Sequence, residues 1–281
     1  TEVPAEDYEI VVFENKFPSL SQPPPPLGVE GSALYQTAPA EGICEVVLYS
    51  SNHHSSLGEE SEEHIRNLIE VWTDRYIELG RKPGIQYIFI FENKGDAVGV
   101  TLSHPHGQIY AFPFIPPTLE KELQAALEHQ TATDKCLYCD IMAEEKEDKV
   151  RVIAENQEFM SFVPFFARYP FEVHIYAKRH VTNLAELTPE EQEGLAALLK
   201  EVLVKYDSLF GISLPYIMAI HQAPPKGDHP HYHFHIEFYP LNRTETKLKY
   251  LAGVESGAGT FITDMSPEEQ AAKLRGDQHG E

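Results

Sequence analysis

The segment His104-Pro105-His106-Gly107-Gln108 carries the strongest chemical signal in the chain. Along an extended strand, side chains two apart share a face, so His104, His106 and Gln108 form one row. A lone strand histidine is usually only a satisfied polar group, but three aligned polar side chains around a glycine are harder to explain that way. Proline within a strand also marks an edge or a bulge, where sites tend to lie. An imidazole attacks phosphorus at neutral pH if its other ring nitrogen keeps a proton on a fixed partner. The row offers a neighbour to set the tautomer and an amide to hold a phosphoryl oxygen.

A second signal is Cys136-Leu137-Tyr138-Cys139, whose two-residue gap suits a tetrahedral metal site or a redox pair. The bland alternative is two small side chains in a core. Five of the 14 histidines fall between 221 and 235, so imidazole partners are plentiful. An internal repeat chooses among them, because His53 and His104 take places in the first half that correspond to His174 and His233 in the second. The expected second-half metal set is therefore Cys136, Cys139, His174 and His233. In the first half only His53 and His104 are visible, with no second Cys-x-x-Cys in the chain. The row His231, His233 and His235 mirrors the first row, but Glu237 stands where Gln108 stands, and a carboxylate repels phosphate. That row is expected to serve metal and core.

The elements that must position these residues follow from local pattern. The first half reads as a strand at 9–13, a stiff loop at Pro23 to Pro26, a strand at 44–49, a helix at about 58–79, a strand at 85–91 and the histidine strand. The helix carries Ile65, Leu68, Ile69, Trp72, Tyr76 and Leu79 at helical spacing. The second half repeats the order: strands near 150–154, 159–163 and 171–176, a helix, a strand at 216–221 and the strand of His231 to Glu237. Thr188-Pro189-Glu190-Glu191 is a strong helix start, with Thr as cap, Pro at the first position and Glu closing the capping box. Such a duplication predicts two similar α+β units whose sheets could join. Residues 116–148 link them, with a helix over 119–128, and a short helix is expected at 267–275.

Composition sets the limits. In 281 residues, 22 Lys and Arg stand against 44 Asp and Glu, a formal charge of −22. A chain this acidic does not attract nucleic acid by general electrostatics, because that attraction needs basic residues. No apolar run approaches the roughly 20 residues of a membrane-spanning helix, and no leader pattern is visible at the start. Three cysteines are too few for a disulfide scaffold. These features predict a cytoplasmic globular protein without nucleic-acid or membrane partners.

The string His104 to Gln108, preceded by Phe91-Glu92-Asn93-Lys94-Gly95, resembles the active-site region of the galactose-1-phosphate uridylyltransferase family, within the histidine-triad superfamily. The likeness continues through Val163-Pro164-Phe165-Phe166-Ala167-Arg168-Tyr169-Pro170-Phe171-Glu172, His221-Gln222-Ala223-Pro224 and Phe238-Tyr239-Pro240. It implies an α+β fold of two histidine-triad-like α/β units related by duplication, with mostly antiparallel sheets and helices packed on them. The units are expected at 1–115 and 149–281, around the 116–148 linker. It also implies exchange of UMP between UDP-glucose and galactose 1-phosphate through a uridylyl-histidine, in a zinc-bearing homodimer with a shared site. His106 would be the nucleophile and Gln108 the holder of the transferred phosphoryl group. Asn93 and Thr101 would contact phosphates, and Phe13, Asn15, Phe17 and Phe91 would grip uridine and ribose. Lys249 and Glu255 would reach the hexose phosphate, from the neighbouring subunit. The same histidine would also serve a nucleoside diphosphate sugar phosphorylase or a nucleotide hydrolase.

The chain departs from the family pattern in places. Members normally begin with further residues that include a Cys-x-x-Cys, whereas this chain opens at Thr1 already past that region, so the His53/His104 zinc site is expected to be incomplete. Some relatives hold another metal on a Glu and three histidines. Glu122, His221 and His235 match three of those positions, and Glu237 stands where the third His would be. Ser256 to Phe261 replaces a stretch that carries a sugar-reading Gln, which leaves sugar specificity open.

Overall fold

Burial along the histidine strand alternates with period two. Gly107, Ile109 and Ala111 are buried on one face, while His106, Gln108, Tyr110 and Phe112 are half-buried on the other. This is the pattern of a sheet covered by helices on one side. The computed structural model describes residues 7–100 and 104–277. Its strands are β1 (Val11–Glu14), β2 (Ile43–Leu48), β3 (Tyr87–Lys94), β4 (His106–Phe112), β5 (Val152–Glu155), β6 (Phe159–Phe162), β7 (Val173–Ala177), β8 (Tyr216–His221) and β9 (His235–Pro240). They form one sheet in the order β1-β2-β4-β3-β8-β9-β7-β6-β5. Every neighbouring pair is antiparallel.

The two halves of the duplication thus join edge to edge, through β3 and β8, from Ile90 opposite Ile220 to Lys94 opposite Tyr216. The free edges are the short strands β1 and β5, and β5 is interrupted by a register shift between Val152 and Ala154.

Two helices cover one face. In α1 (Glu62–Gly80) the expected stripe of Ile65, Leu68, Ile69, Trp72, Tyr76 and Leu79 is buried. The helix starts four residues later than its periodicity suggests. Leu57–Glu59 instead forms a separate 3-10 turn, and Ser61 then caps α1 by accepting from the His64 amide. In α4 (Pro189–Leu209) the capping box forms as expected: the Thr188 hydroxyl accepts from the Glu191 amide and the Glu191 carboxylate from the Thr188 amide. The apolar faces of α1 and α4 meet the sheet residues Ile88, Ile90, Ile109, Ile175, Ile220 and Ile236 in one core.

The opposite face is treated differently in the two halves. Over the second half lie α2 (Pro117–Thr133) and α3 (Leu137–Asp148), whose Leu123, Ala126, Tyr138 and Met142 bury Met160, Phe162 and Tyr176. Every residue of β7 is accordingly buried. In the first half this face carries a run of aromatic side chains, with Phe89 stacked on Phe91 and Phe91 edge-on to Tyr110. Two short helices, α5 (Gly253–Ala258) and α6 (Pro267–Arg275), follow β9.

Strand register explains why distant residues come together. Phe13 lies opposite Val46, Val46 opposite Gln108, Gln108 opposite Phe91, Phe91 opposite Ala219, Ala219 opposite Glu237 and Glu237 opposite His174. One cross-strand row therefore carries Phe13, Gln108 and Phe91 in the first half and Glu237 and His174 in the second.

Because α4 anchors the shared core, its cap is a clean probe of fold stability. Thr188→Ala removes the hydroxyl that accepts from the Glu191 amide, while the backbone bond to the Glu191 carboxylate remains; it is expected to cost about 1 kcal/mol, read as a lower urea midpoint with unchanged slope.

Candidate active site and metal centre

β4 begins at His106, and the group that orients its imidazole lies two residues before the strand. The Nδ1–H of His106 donates to the His104 carbonyl at 2.8 Å. A carbonyl can only accept, so the proton is held on Nδ1 and the lone pair sits on Nε2. His106 is half-buried, at the rim of a cavity that also takes in His104, Asn93 and Lys94. Gln108 follows on the same face.

The backbone beneath His106 leaves no room for a side chain at position 107. A Cβ there would lie 2.1 Å from the Tyr49 hydroxyl oxygen and 3.1 Å from the Phe91 carbonyl. Tyr49 cannot retreat, being fully buried with its ring edge-on to Trp72 at 6.2 Å.

Other residues singled out from sequence are placed as follows. The row described above puts Phe13 and Phe91 on either side of Gln108. Asn15 accepts the Phe17 amide at 2.9 Å in the turn after β1, and the Phe17 ring is exposed. Thr101 lies outside the described residues. Lys249 is buried and donates to Glu255 at 2.8 Å and to the Ile262 carbonyl at 2.6 Å. The last two expected site residues are thus brought to each other, on the segment after β9.

The second half repeats the nucleophile geometry without its accessibility. His235 Nδ1–H donates to the His233 carbonyl at 2.8 Å, as His106 does to His104. His235 is fully buried, with the Tyr138 ring of α3 4.9 Å from its own, and its Nε2 has no hydrogen-bond partner among the described residues. Glu237 stands 3.4 Å from that nitrogen. Burial alone would raise the Glu237 pKa, but the positive field of His174 and His221 outweighs it and holds the carboxyl well below its usual range. The position equivalent to Gln108 therefore holds a buried anion, and the helices close the site above it.

The metal expectation needs one correction. Cys136, Cys139, His180 and His233 form the group, with ligand atoms within 4.8 Å of one another. His174 is not part of it; it lies at 3.0 Å from Glu172 and 3.4 Å from Glu237, in a separate fully buried group. Strand register supplies the reason. Leu48 lies opposite His106, and Tyr176 opposite His235. The counterpart of His53, five residues past Leu48, is therefore expected beyond the end of β7, and His180, four residues past Tyr176, is the histidine found there. Reading His174 as that counterpart placed it too early on the strand. His180 carries no distinguishing sequence signal beyond its position just after β7.

The donor set fits a thiophilic divalent cation. His233 Nε2–H donates to the Ala177 carbonyl at 2.8 Å and His180 Nε2–H to the Pro230 carbonyl at 2.9 Å. Both Nδ1 lone pairs are thereby turned toward the sulfurs, at 3.5 Å and 3.6 Å from His233 and 3.7 Å from His180. Outer hydrogen bonds of this kind orient imidazole ligands in metal sites. The neighbouring Cys139 thiol, with His180 and His233, also pulls the Cys136 pKa down, so a thiolate is favoured there. In the first half, His53 and His104 face each other through their Nδ1 atoms at 2.9 Å, and the Tyr8 hydroxyl lies 2.9 Å from His104 Nε2. Tyr8 had no signal in the sequence.

Glu122, His221 and His235 make a further group of possible ligands, beside that of Glu172, His174 and Glu237. These carboxylates already have partners. Glu122 accepts from His221 at 2.9 Å and from Tyr232 at 2.7 Å, and Arg168 reaches Glu237 at 3.0 Å and Glu172 at 3.2 Å. Burial would lower the His221 pKa, but Glu122 and Glu237 raise it to about 9.

Two outcomes follow. Cys136→Ser and His180→Ala are expected to strip bound metal, measured by elemental analysis of purified protein, while His174→Ala retains it; metal loss in His174→Ala alone overturns the corrected set. Gly107→Ala is expected to destabilise the protein by about 1–3 kcal/mol through overpacking, read by thermal melting.

Comparison with known proteins agrees with this geometry. The family model for the N-terminal domain of galactose-1-phosphate uridyl transferase matches residues 1–116, and that for its C-terminal domain matches 120–280. A galactose-1-phosphate uridylyltransferase of Thermotoga maritima is 44% identical over 96% of this chain and 85% of its own length. A solved uridylyltransferase structure superposes with a TM-score of 0.91 at 37% identity, covering 96% of this chain and 86% of that one. An ADP-glucose phosphorylase from Arabidopsis thaliana superposes with a TM-score of 0.83 at 29% identity, covering 97% and 83%. With both halves matched, the chain belongs to the galactose-1-phosphate uridyl transferase family.

Proposed function

We propose that the protein exchanges UMP between UDP-glucose and galactose 1-phosphate, with His106 as the covalent carrier. The observation that carries this reading is the His106 Nδ1–H bond to the His104 carbonyl, which leaves Nε2 free at the rim of a cavity. Nε2 attacks the α-phosphorus of UDP-glucose; the bond to the bridging oxygen breaks and glucose 1-phosphate leaves with the electron pair. A phosphate oxygen of galactose 1-phosphate then attacks the same phosphorus, the N–P bond breaks, and UDP-galactose departs. The imidazole returns to its starting state, so no net proton is consumed. A fixed nucleophile is effective here because orientation supplies much of the rate.

In this reading Gln108 holds the transferred phosphoryl group, Asn93 and Thr101 contact phosphates, and Phe13, Asn15, Phe17 and Phe91 hold the nucleoside. Lys249 and Glu255 serve the hexose phosphate across a homodimer. Zinc is the metal that suits Cys136, Cys139, His180 and His233; closed by four protein ligands it is structural, tying α3 to β7 and the loop before β9. His53 and His104 would supply two ligands of a first-half zinc site that lacks its cysteine pair in this chain; a metal there would steady the backbone next to His106. No helix among the described residues is long and apolar enough to cross a membrane, and we place the protein in the cytoplasm.

The test is intact mass after incubation with UDP-glucose alone, beside His106→Asn. A gain of one UMP in the wild type only, discharged by galactose 1-phosphate to UDP-galactose, supports the transferase. An adduct that inorganic phosphate discharges and galactose 1-phosphate does not would favour a phosphorylase, the activity named for the Arabidopsis structure. An adduct on His106→Asn would sink the assignment of the nucleophile.

A further inference from the structure

The nucleophile strand rests on a carboxylic acid that the proposed exchange does not use. Glu92 sits on β3 between Phe91 and Asn93, and its side chain is 4% exposed. One carboxyl oxygen faces the Tyr216 hydroxyl of β8 at 3.3 Å, and the other is buried with no partner among the described residues. Glu92 is among the residues around the cavity of about 590 Å³ that also takes in Asn93, Lys94, His104, His106 and Asp207. The nearest cation, Lys94, is already committed to Asp207 at 3.0 Å. The neighbouring Tyr49 hydroxyl, tucked under Gly107, is likewise buried and unpartnered. Two orphaned polar atoms below the nucleophile are costly for folding alone, so a role in the site is the economical account.

We propose that Glu92 is a positioning residue for phosphoryl transfer at His106, its carboxyl group forming the floor of the cavity that receives the phosphates. The inference rests on the transferase reading and deepens it. In its neutral form the group presents a hydroxyl donor and no charge to an anionic ligand; ionised, it places a negative charge in a poorly hydrated cavity, where repulsion of a diphosphate is strong. The groups that face it are Tyr216 on β8, Lys94 on its own strand, Tyr49 after β2, Asp207 on α4, His104 and His106 across the cavity, and Glu59 and His54 before α1. Burial, partly offset by Lys94 and Tyr216, raises the Glu92 pKa to about 8. Substrate binding and His106 uridylylation therefore weaken as Glu92 loses its proton.

The experiment measures two quantities between pH 6 and pH 10 on the full chain: the single-turnover rate of UMP adduct formation with UDP-glucose, and the affinity for UDP by calorimetry. In the wild type both should fall by about tenfold per pH unit above the Glu92 pKa, the slope of a single ionisation. Glu92→Gln should lack this limb, so its rate relative to wild type climbs about tenfold per unit there. Tyr216→Phe removes a donor that steadies the carboxylate and should move the limb to higher pH, an independent check if Glu92→Gln folds poorly. An identical alkaline limb in Glu92→Gln, or an unmoved limb in Tyr216→Phe, overturns this role while leaving the transferase intact. Absence of adduct and of UDP affinity at every pH in the wild type overturns both readings.

Discussion

The hydrogen bond from His106 to the His104 carbonyl is the constraint on which the rest of the site depends. It is only 2.8 Å long and spans two residues, yet several distant elements must cooperate to make it. The backbone at 104–106 has to bend as it enters β4, and Gly107 must lie close over Tyr49, which leans on Trp72 of α1. Helix packing on the buried face thereby sets the direction of an imidazole on the other. The nearby His53–His104 pair fixes the side chain of the residue whose carbonyl does the holding. One residue, His104, thus makes both contacts, its ring to His53 and its backbone carbonyl to the His106 imidazole.

The same lock recurs at His235 and His233, and comparison of the halves shows how an accessible copy differs from a buried one. Backbone geometry is retained in both. The differences are a carboxylate in place of an amide, Glu237 against Gln108, and two helices laid over the face. Once α2 and α3 cover that side, its histidines and carboxylates are in the interior, and they survive only as a mutually neutralising network around Arg168. The first half instead carries half-buried aromatic side chains on that face.

Much of this was legible in the residues. Period-two alternation exposed the histidine row, and Thr188-Pro189-Glu190-Glu191 announced α4, because both depend on short-range physics. The start of α1 differs because residues 58 and 59 belong to a separate turn, Leu57–Glu59, and Ser61 caps the helix after it. The helix α3 was missed: its buried residues are Tyr138, Met142 and Glu145, with Leu137 and Ile141 partly buried beside them, and the buried Glu interrupts the apolar stripe. The exchange of His174 for His180 had a different origin. Which histidine reaches the cysteines depends on where β7 ends and how it pairs with β9, and neither is encoded in local composition. Tyr8 and the unpartnered face of Glu92 are likewise products of long-range assembly.

The joining of two duplicated units into one sheet has a consequence for how the molecule meets its neighbours. Nine antiparallel strands could in principle keep growing by recruiting further chains at either margin. Here the margins are four-residue strands, β1 and β5, and the second is kinked by its register shift. Such stunted borders offer few consecutive backbone donors and acceptors to an incoming strand. Association is steered away from open-ended β-addition and toward contacts made by side chains, whose shape and chemistry can select a partner.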